Sequence, residues 1–239
     1  SPGDGDGSSQ AVFEAADRSL QVGTVRSATT ADIETAVATA EAAARAWDAT
    51  PADERAAILE RAADGLEDAM PEFMALAVRE AGKTIDDAVS EVREAVDFLR
   101  YYAARARIDF AQPTVMPGPT GETNTVRLHG RGVFLCISPW NFPLAIFLGQ
   151  VSAALAAGNA VIAKPAEQTP LIAARAVDLL YQAGLPRAVL HLLPGDGPTV
   201  GAPLVADPRI AGVAFTGSTD TARAINRSLA ARDGAIAPL

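Results

Sequence analysis

The sequence predicts an α/β protein, a doubly wound parallel sheet preceded by a long helical region. Three observations carry that prediction. From Val133 onward, short apolar runs at Val133–Ile137, Ala160–Ala163, Val189–Leu193 and Ala211–Phe215 alternate with helix-like stretches. The runs are apolar on both faces rather than every second residue, as strands covered on each side require. Between Ala31 and Arg107, apolar residues recur at helical spacing almost throughout.

The elements follow in order. Residues 1–10, rich in Gly, Asp and Ser, read as a linker. Their DGDGSS segment is a poor calcium loop, because Ser9 and Ala15 stand where Gly and Glu are needed. Residues 11–112 form the helical part, after a short extended piece around Val22 to Val25. Thr50-Pro51-Ala52-Asp53 predicts a capping residue before a Pro at the first helical position. Pro71 opens another helix and Gly82 closes it. Val89, Val92, Val96, Leu99 and Tyr102 then define one buried face of a helix from Ile85 to Arg107.

Across residues 113–131 the helix signal stops. Prolines and glycines predict two irregular strands with a turn at Pro117 to Gly121. Such an arm either pairs with another subunit or stays as a solvated hairpin. Residues 132–239 hold the sheet, with helices expected at Pro143–Ala157, Pro170–Ala183, Thr199–Ala206 and Ser218–Ala231. Gly158 and Gly184 fall just past helix ends, and Thr169-Pro170 caps a start. Ile236 to Leu239 has the composition of a fifth strand cut short.

Composition narrows the function. A net charge of -9 argues against nucleic acid, whose phosphates demand basic surface. Cys136 is the only cysteine, so no intrachain disulfide forms and a reducing compartment fits. No basic segment followed by an apolar one marks a signal peptide. The longest apolar run, Phe142 to Ala157, contains Gln150 and Ser152 and falls short of the about 20 residues a membrane helix needs. A cytoplasmic protein is the expectation. His129 and His191 have no partner pattern, so no metal site is expected.

In a doubly wound sheet, ligands bind beyond the carboxyl ends of the strands. The loops there are SPWNFP (Ser138 to Pro143), KPAEQTP (Lys164 to Pro170), PGDGP (Pro194 to Pro198) and FTGST (Phe215 to Thr219). Glu167 can accept hydrogen bonds from ribose hydroxyls, and Lys164 beside it can donate to the same ribose. A carboxylate there repels a 2′-phosphate, which predicts NAD over NADP. The alternative is an ion pair at a strand end. Gly217-Ser218 opens the last helix, whose free N–H groups suit a pyrophosphate or serve simply as an ordinary cap. The Gly195 to Gly201 segment misses the GxGxxG spacing by one residue. Asn141, between Trp140 and Phe142, suits an oxyanion hole, although an Asn bonding its own turn is the commoner use. Cys136 is rejected as a nucleophile because it lies mid-strand with nothing basic adjacent.

Together, SPWNFPL, AGNAVIAKPAEQTP, LLPGDGPTVG and VAFTGST resemble the aldehyde dehydrogenase superfamily, in its order and spacing. REAGKT, EVREAVDFLRYYA and CISPWNFPLAIF resemble, more narrowly, its L-glutamate γ-semialdehyde (1-pyrroline-5-carboxylate) dehydrogenase branch, including the dehydrogenase domain of bifunctional proline-catabolic flavoenzymes. The resemblance implies a Rossmann-like core at residues 132–239, NAD as cofactor and residues 113–131 as an oligomerisation arm. It implies an aldehyde substrate, a homo-oligomer and, in the bifunctional case, an FAD-dependent proline dehydrogenase domain upstream. Asn141 is then catalytic, stabilising the thiohemiacetal oxyanion. Lys164, Ala166 and Glu167 meet the adenine ribose, and Gly197 lies by the adenine. Phe215, Thr216, Gly217 and Ser218 meet the phosphates and neighbouring groups, with Ile137, Ser138, Pro139 and Trp140 also lining the cofactor. Glu94 is placed toward the substrate amino group. Thr221 departs from the Val or Ile usual against the adenine.

The family's general-base Glu and nucleophilic Cys match no residue here. The expectation is therefore a cofactor-binding half that is inactive alone and marginally stable, with an exposed sheet edge. Two alternatives remain at this point: a dehydrogenase of another aldehyde, such as succinate semialdehyde, and an inactive nucleotide-binding fragment.

Overall fold

The structure, a computed structural model, describes residue 7 and residues 9–239. Of the DGDGSS segment only Gly7 and Ser9 are among the described residues, and most of the expected linker lies outside them. Ser9 and Gln10 are not linker but open a strand, β1 (Ser9–Phe13), paired antiparallel with β2 (Gln21–Arg26).

Four helices follow: α1 (Thr30–Ala49), α2 (Ala52–Asp68), α3 (Met70–Ala81) and α4 (Ile85–Phe110). α1 starts in a complete capping box, Thr29 with Asp32. Between α1 and α2 the expectation needs correcting. Thr50 does not cap α2; its hydroxyl bonds back to the Ala46 carbonyl at the end of α1, leaving Pro51 as an N-cap without a side-chain bond. Gly82 ends α3 at φ 69°, a left-handed conformation that costs glycine little. On α4, Val92, Val96 and Leu99 are buried together with Ala88, Ala95 and Ala103.

β3 (Thr114–Met116) and β4 (Asn124–Val126) make a small antiparallel hairpin, exposed except for a half-buried Asn124. β5 (Val133–Ile137), β6 (Ala160–Lys164), β7 (Leu190–Leu192) and β8 (Ile210–Phe215) then form a parallel sheet in the order β7-β6-β5-β8. The fold is Rossmann-like α/β. The crossover helices α5 (Ala145–Ala156) and α6 (Pro170–Gln182) step in one direction, so the right-handed rule puts both on one face. The return to β8 runs through a π-helical turn (Gly197–Gly201), α7 (Ala202–Ala206) and then, after the strand, α8 (Thr219–Ala230). α1 lies against β5, β6 and β7, and α2 contacts α4, α5 and α6. Phe147 and Leu148 of α5 and Leu135 and Ile162 of the sheet are fully buried.

Three further expectations shift. α5 starts at Ala145 rather than Pro143, because residues up to Leu144 are taken up by turns. The helix expected from Thr199 begins two residues earlier, as the π turn, with Asp196 accepting from the Thr199 N–H at 2.6 Å. No strand forms at Ile236 to Leu239; a single bond, from the Val213 N–H to the Pro238 carbonyl at 2.9 Å, runs beside β8. Among the described residues no helix is long and apolar enough to cross a membrane.

The helix that precedes the candidate site is held at both ends by other elements. The Trp47 indole donates to the Leu155 carbonyl at 3.1 Å, and buried Arg55 donates to Ala156 at 3.1 Å. Glu91 of α4 receives the first N–H groups of α5. Helix ends otherwise leave such groups orphaned.

Candidate functional site

The carboxyl ends of β5, β6 and β8 meet at one point. Ile137 lies in register with Lys164 on one side and Phe215 on the other. Main-chain bonds continue past the strands: the Ser138 N–H donates to the Lys164 carbonyl at 3.3 Å, and the Thr216 N–H to Ile137 at 3.1 Å. The order β7-β6-β5-β8 puts the topological switch between β5 and β8, where such sheets open a crevice. A cavity of about 570 Å³ opens beside it, lined by Ile137 and Lys164, by Gly197 and Gly201 of the π turn, by Val205 of α7, and by Thr221 and Ile225 of α8.

Lys164 is the buried charged group of this cavity, whose wall also carries the exposed carboxylate Asp220. Lys164 is only 6% exposed, and its ammonium donates to the Pro165 carbonyl at 3.1 Å. Three donors with one acceptor leave capacity for a ligand. Burial lowers its pKa, and the nearby Glu167 and Asp196 carboxylates oppose that shift. Asp196 itself is held below the usual carboxylate range by hydrogen bonds from Thr199. Gly197 borders open space, since a Cβ there would meet nothing within 4 Å. Glu167 is exposed, bonded to Gln168 at 3.2 Å, and Ala166 beside it is half-buried. Neither lines the cavity wall.

At the end of β8, Phe215 is half-buried and Thr216, Gly217 and Ser218 are exposed. Ser218 caps α8, its hydroxyl accepting from the Thr221 N–H at 3.2 Å. Gly217 lies against the Phe215 ring: a Cβ there would fall 2.6 Å from it, so the ring would have to shift. Gln150 of α5 donates to the Thr216 hydroxyl at 3.0 Å, tying this loop to the helix.

In SPWNFPL, Ser138 is buried with its hydroxyl unpartnered among the described residues, Pro139 is half-buried, and Trp140 is 55% exposed. Asn141 is exposed and its amide bonds no group among the described residues, so it does not close its own turn. Glu94 is also exposed, on α4, with no hydrogen bond or ion pair to Asn141 among the described residues. Cys136 is fully buried, its thiol pushed up to about 12 by desolvation alone.

The structure thus brings Ile137, Lys164 and Gly197 into one cavity and the Phe215 to Ser218 loop to its edge; Asn141 and Glu94 stand apart on the surface. Sequence reasoning missed Val205, Ile225 and Ser228 in the cavity wall. The spacing of Thr221, Ile225 and Ser228 on one helical face was the available signal. It also missed Glu91, a carboxylate within the otherwise apolar stripe of Ala88, Val92 and Ala95.

The sequence profile described as "Aldehyde dehydrogenase family" matches residues 4–237. The chain belongs to the aldehyde dehydrogenase family. This aldehyde dehydrogenase chain is 53% identical over 227 residues to the bifunctional protein PutA of Klebsiella aerogenes, covering 95% of the chain and 16% of that relative. It is 43% identical over 205 residues to the 1-pyrroline-5-carboxylate dehydrogenase of Anoxybacillus flavithermus, 86% of the chain and 40% of the relative. Among solved structures, a 1-pyrroline-5-carboxylate dehydrogenase from Thermus with bound NAD superposes with a TM-score of 0.93 at 35% identity, over 97% of this aldehyde dehydrogenase chain and 45% of that one. A bifunctional proline utilization A structure gives 0.88 at 60% identity, over 90% and 22%. The chain therefore spans under a fifth of the bifunctional relatives it matches in sequence and about two-fifths of the stand-alone one.

Proposed function

We propose that this chain is the NAD-binding portion of a longer enzyme that oxidises L-glutamate γ-semialdehyde to L-glutamate. The observation that carries the reading is the cavity at the switch point, where a buried lysine with spare donors faces open space above Gly197. The NAD-bound Thermus relative, with the same fold, supports the choice of cofactor. The names of the curated relatives support the choice of substrate.

In this reading Lys164 donates to the adenine ribose hydroxyls and Glu167 accepts from them. Gly197 and Thr221 border the adenine. The open N–H groups at the start of α8, with Ser218, receive the phosphates. Pro139 and Trp140 lie along the cofactor, as does Ser138, whose unpartnered hydroxyl has capacity for a polar ligand. When bound, NAD supplies the hydride acceptor. Asn141, whose amide has no hydrogen-bond partner among the described residues, donates to the aldehyde oxygen as charge develops on it, as an oxyanion-hole donor does. Glu94 recognises the substrate amino group. The attacking thiolate is not Cys136, whose burial keeps it protonated, so it comes from the rest of a longer polypeptide. That polypeptide is a cytoplasmic homo-oligomer contacting its copies through residues 113–131, with a proline dehydrogenase domain upstream in the bifunctional case.

Calorimetric titration of the chain with NAD and then NADP tests the cofactor half. Saturable NAD binding that weakens in Glu167→Ala is expected, and binding of NADP as tight as NAD would overturn the assignment. NADH formation by the full-length enzyme, compared between glutamate semialdehyde and succinate semialdehyde, tests the substrate.

A further inference from the structure

α5 has no capping side chain of its own: Leu144 stands at its N-cap. Its first N–H groups, those of Leu144 and Ala145, donate instead to Glu91 Oε1 at 2.9 and 3.4 Å. The Glu91 side chain is wholly buried, and its Oε2 lies 2.9 Å from Lys83 Nζ. That same ammonium sits 3.8 Å from the centre of the Phe142 ring. One ion pair therefore grips the SPWNFPL loop twice, at Phe142 by a cation–π contact and at Leu144 by hydrogen bonds. Asn141 is the residue next to the grip. The loop is anchored at its two ends, by buried Ser138 and by buried Pro143 and Leu144. The residues flanking Asn141, Trp140 and Phe142, are 55% and 38% exposed, so the Lys83 contact on the Phe142 ring is the hold nearest Asn141.

A buried ion pair is an expensive cap, because both charges leave water. A Ser or Asp at the N-cap would satisfy the same N–H groups locally. The long-range arrangement does something a local cap cannot: it fixes α5 and the loop before it to α3 and α4 together. We infer that Lys83 and Glu91 are positioning residues for Asn141, holding its amide where a substrate oxygen acquires charge. This rests on the oxyanion reading of Asn141. Displacement of a donor by about 1 Å can cost a rate factor of roughly 100, so a contact one residue away can control catalysis.

A double-mutant cycle in the full-length enzyme tests it, with kcat, KM and NAD affinity measured for Asn141→Ala, Lys83→Met, their combination and Lys83→Arg. Asn141→Ala is expected to lower kcat about 100-fold, as removal of an oxyanion donor does. Lys83→Met should lower kcat by about 10-fold or more with NAD affinity retained. Arg at position 83 should recover most of it by keeping the charge over Phe142. With Asn141 already gone, Lys83→Met should cost nothing further. Losses that multiply in the double variant, or an unchanged kcat in Lys83→Met, overturn the positioning role. An unchanged kcat in Asn141→Ala overturns the oxyanion reading itself and the inference with it. If Lys83→Met also loses NAD binding, Phe142→Leu, which spares the buried ion pair, takes its place in the cycle with the same outcomes.

Discussion

The Glu80 carboxylate, carried on α3, accepts the Leu171 N–H at 2.7 Å and the Ile172 N–H at 2.9 Å, in the first turn of α6. Thr169, the local capping residue, makes no such bond, and its hydroxyl is buried without a partner among the described residues. A carboxylate from 91 positions upstream has taken the place of the adjacent hydroxyl. The charge suits the positive end of the helix dipole, and α3 is thereby tied to the sheet-covering layer.

This contact carries a pH dependence. Burial pushes the Glu80 carboxyl up from its ordinary 4.5 to about 7, against the two main-chain bonds that favour the anion. Between those values the folded chain holds a proton that the unfolded chain has lost. The stability from this group is fully present below 4.5 and is lost as pH rises to about 7. Glu80→Gln should flatten that slope, removing a fall on the order of 3 kcal/mol. Urea midpoints at pH 5 and pH 8 for both proteins measure it. Parallel shifts in the two would show that Glu80 ionises normally.

Lys164 should matter most for cofactor affinity. Lys164→Ala removes charge-assisted hydrogen bonds and is expected to weaken NAD binding by about 10- to 100-fold. Glu167→Ala should weaken it less, about 10-fold, because Glu167 is exposed, and should narrow the preference over NADP. Titration calorimetry gives both. A larger loss from Glu167 than from Lys164 would reverse the order of importance.

Cys136 should be inert in the folded chain. With its thiol fully buried and raised to about 12, a colourimetric thiol reagent should find no reactive group at pH 8 and one per chain in denaturant. Rapid reaction of the native chain would mean that β5 opens locally.

Gly130 is sterically fixed. A Cβ there would fall 2.4 Å from the Gly158 carbonyl oxygen, a main-chain atom that cannot rotate away, while the Gly130 N–H bonds Asp48 at 2.6 Å. Gly130→Ala should destabilise by about 2 kcal/mol. Gly197→Ala, facing open space, should stay within roughly 0.5 kcal/mol. Thermal melts of the two variants against the parent check the contrast.

The secondary structure was legible because its signals are local. Continuous apolar runs marked β5 to β8, a 3.6-residue period marked α4, and Gly82 marked the end of α3. The four loops could be named because the carboxyl end of each strand is known once the strands are known. Capping was misread at Thr50, where Pro51 takes the N-cap position of α2. Thr169 does stand at the N-cap of α6, but the N–H groups it could have bonded go to Glu80 instead, because a capping motif states only what can bond locally. The strand at Ser9 was missed because a Gly- and Ser-rich lead-in hides a pairing that only β2 completes.

Sequence by itself determined the fold class, the family resemblance and the identity of Lys164, Gly197 and Asn141 as candidates, because each depends on patterns a few residues wide. Tertiary structure decided which of them share a cavity, that Asn141 is free of its own turn, and that Lys83 and Glu91 grip its loop. Those facts join residues separated by tens of positions, and nothing in a neighbouring residue encodes such a separation. Burial decided the rest: it left Lys164 charged groups to face, raised Glu80 and silenced Cys136, and burial is a property of the packed chain alone.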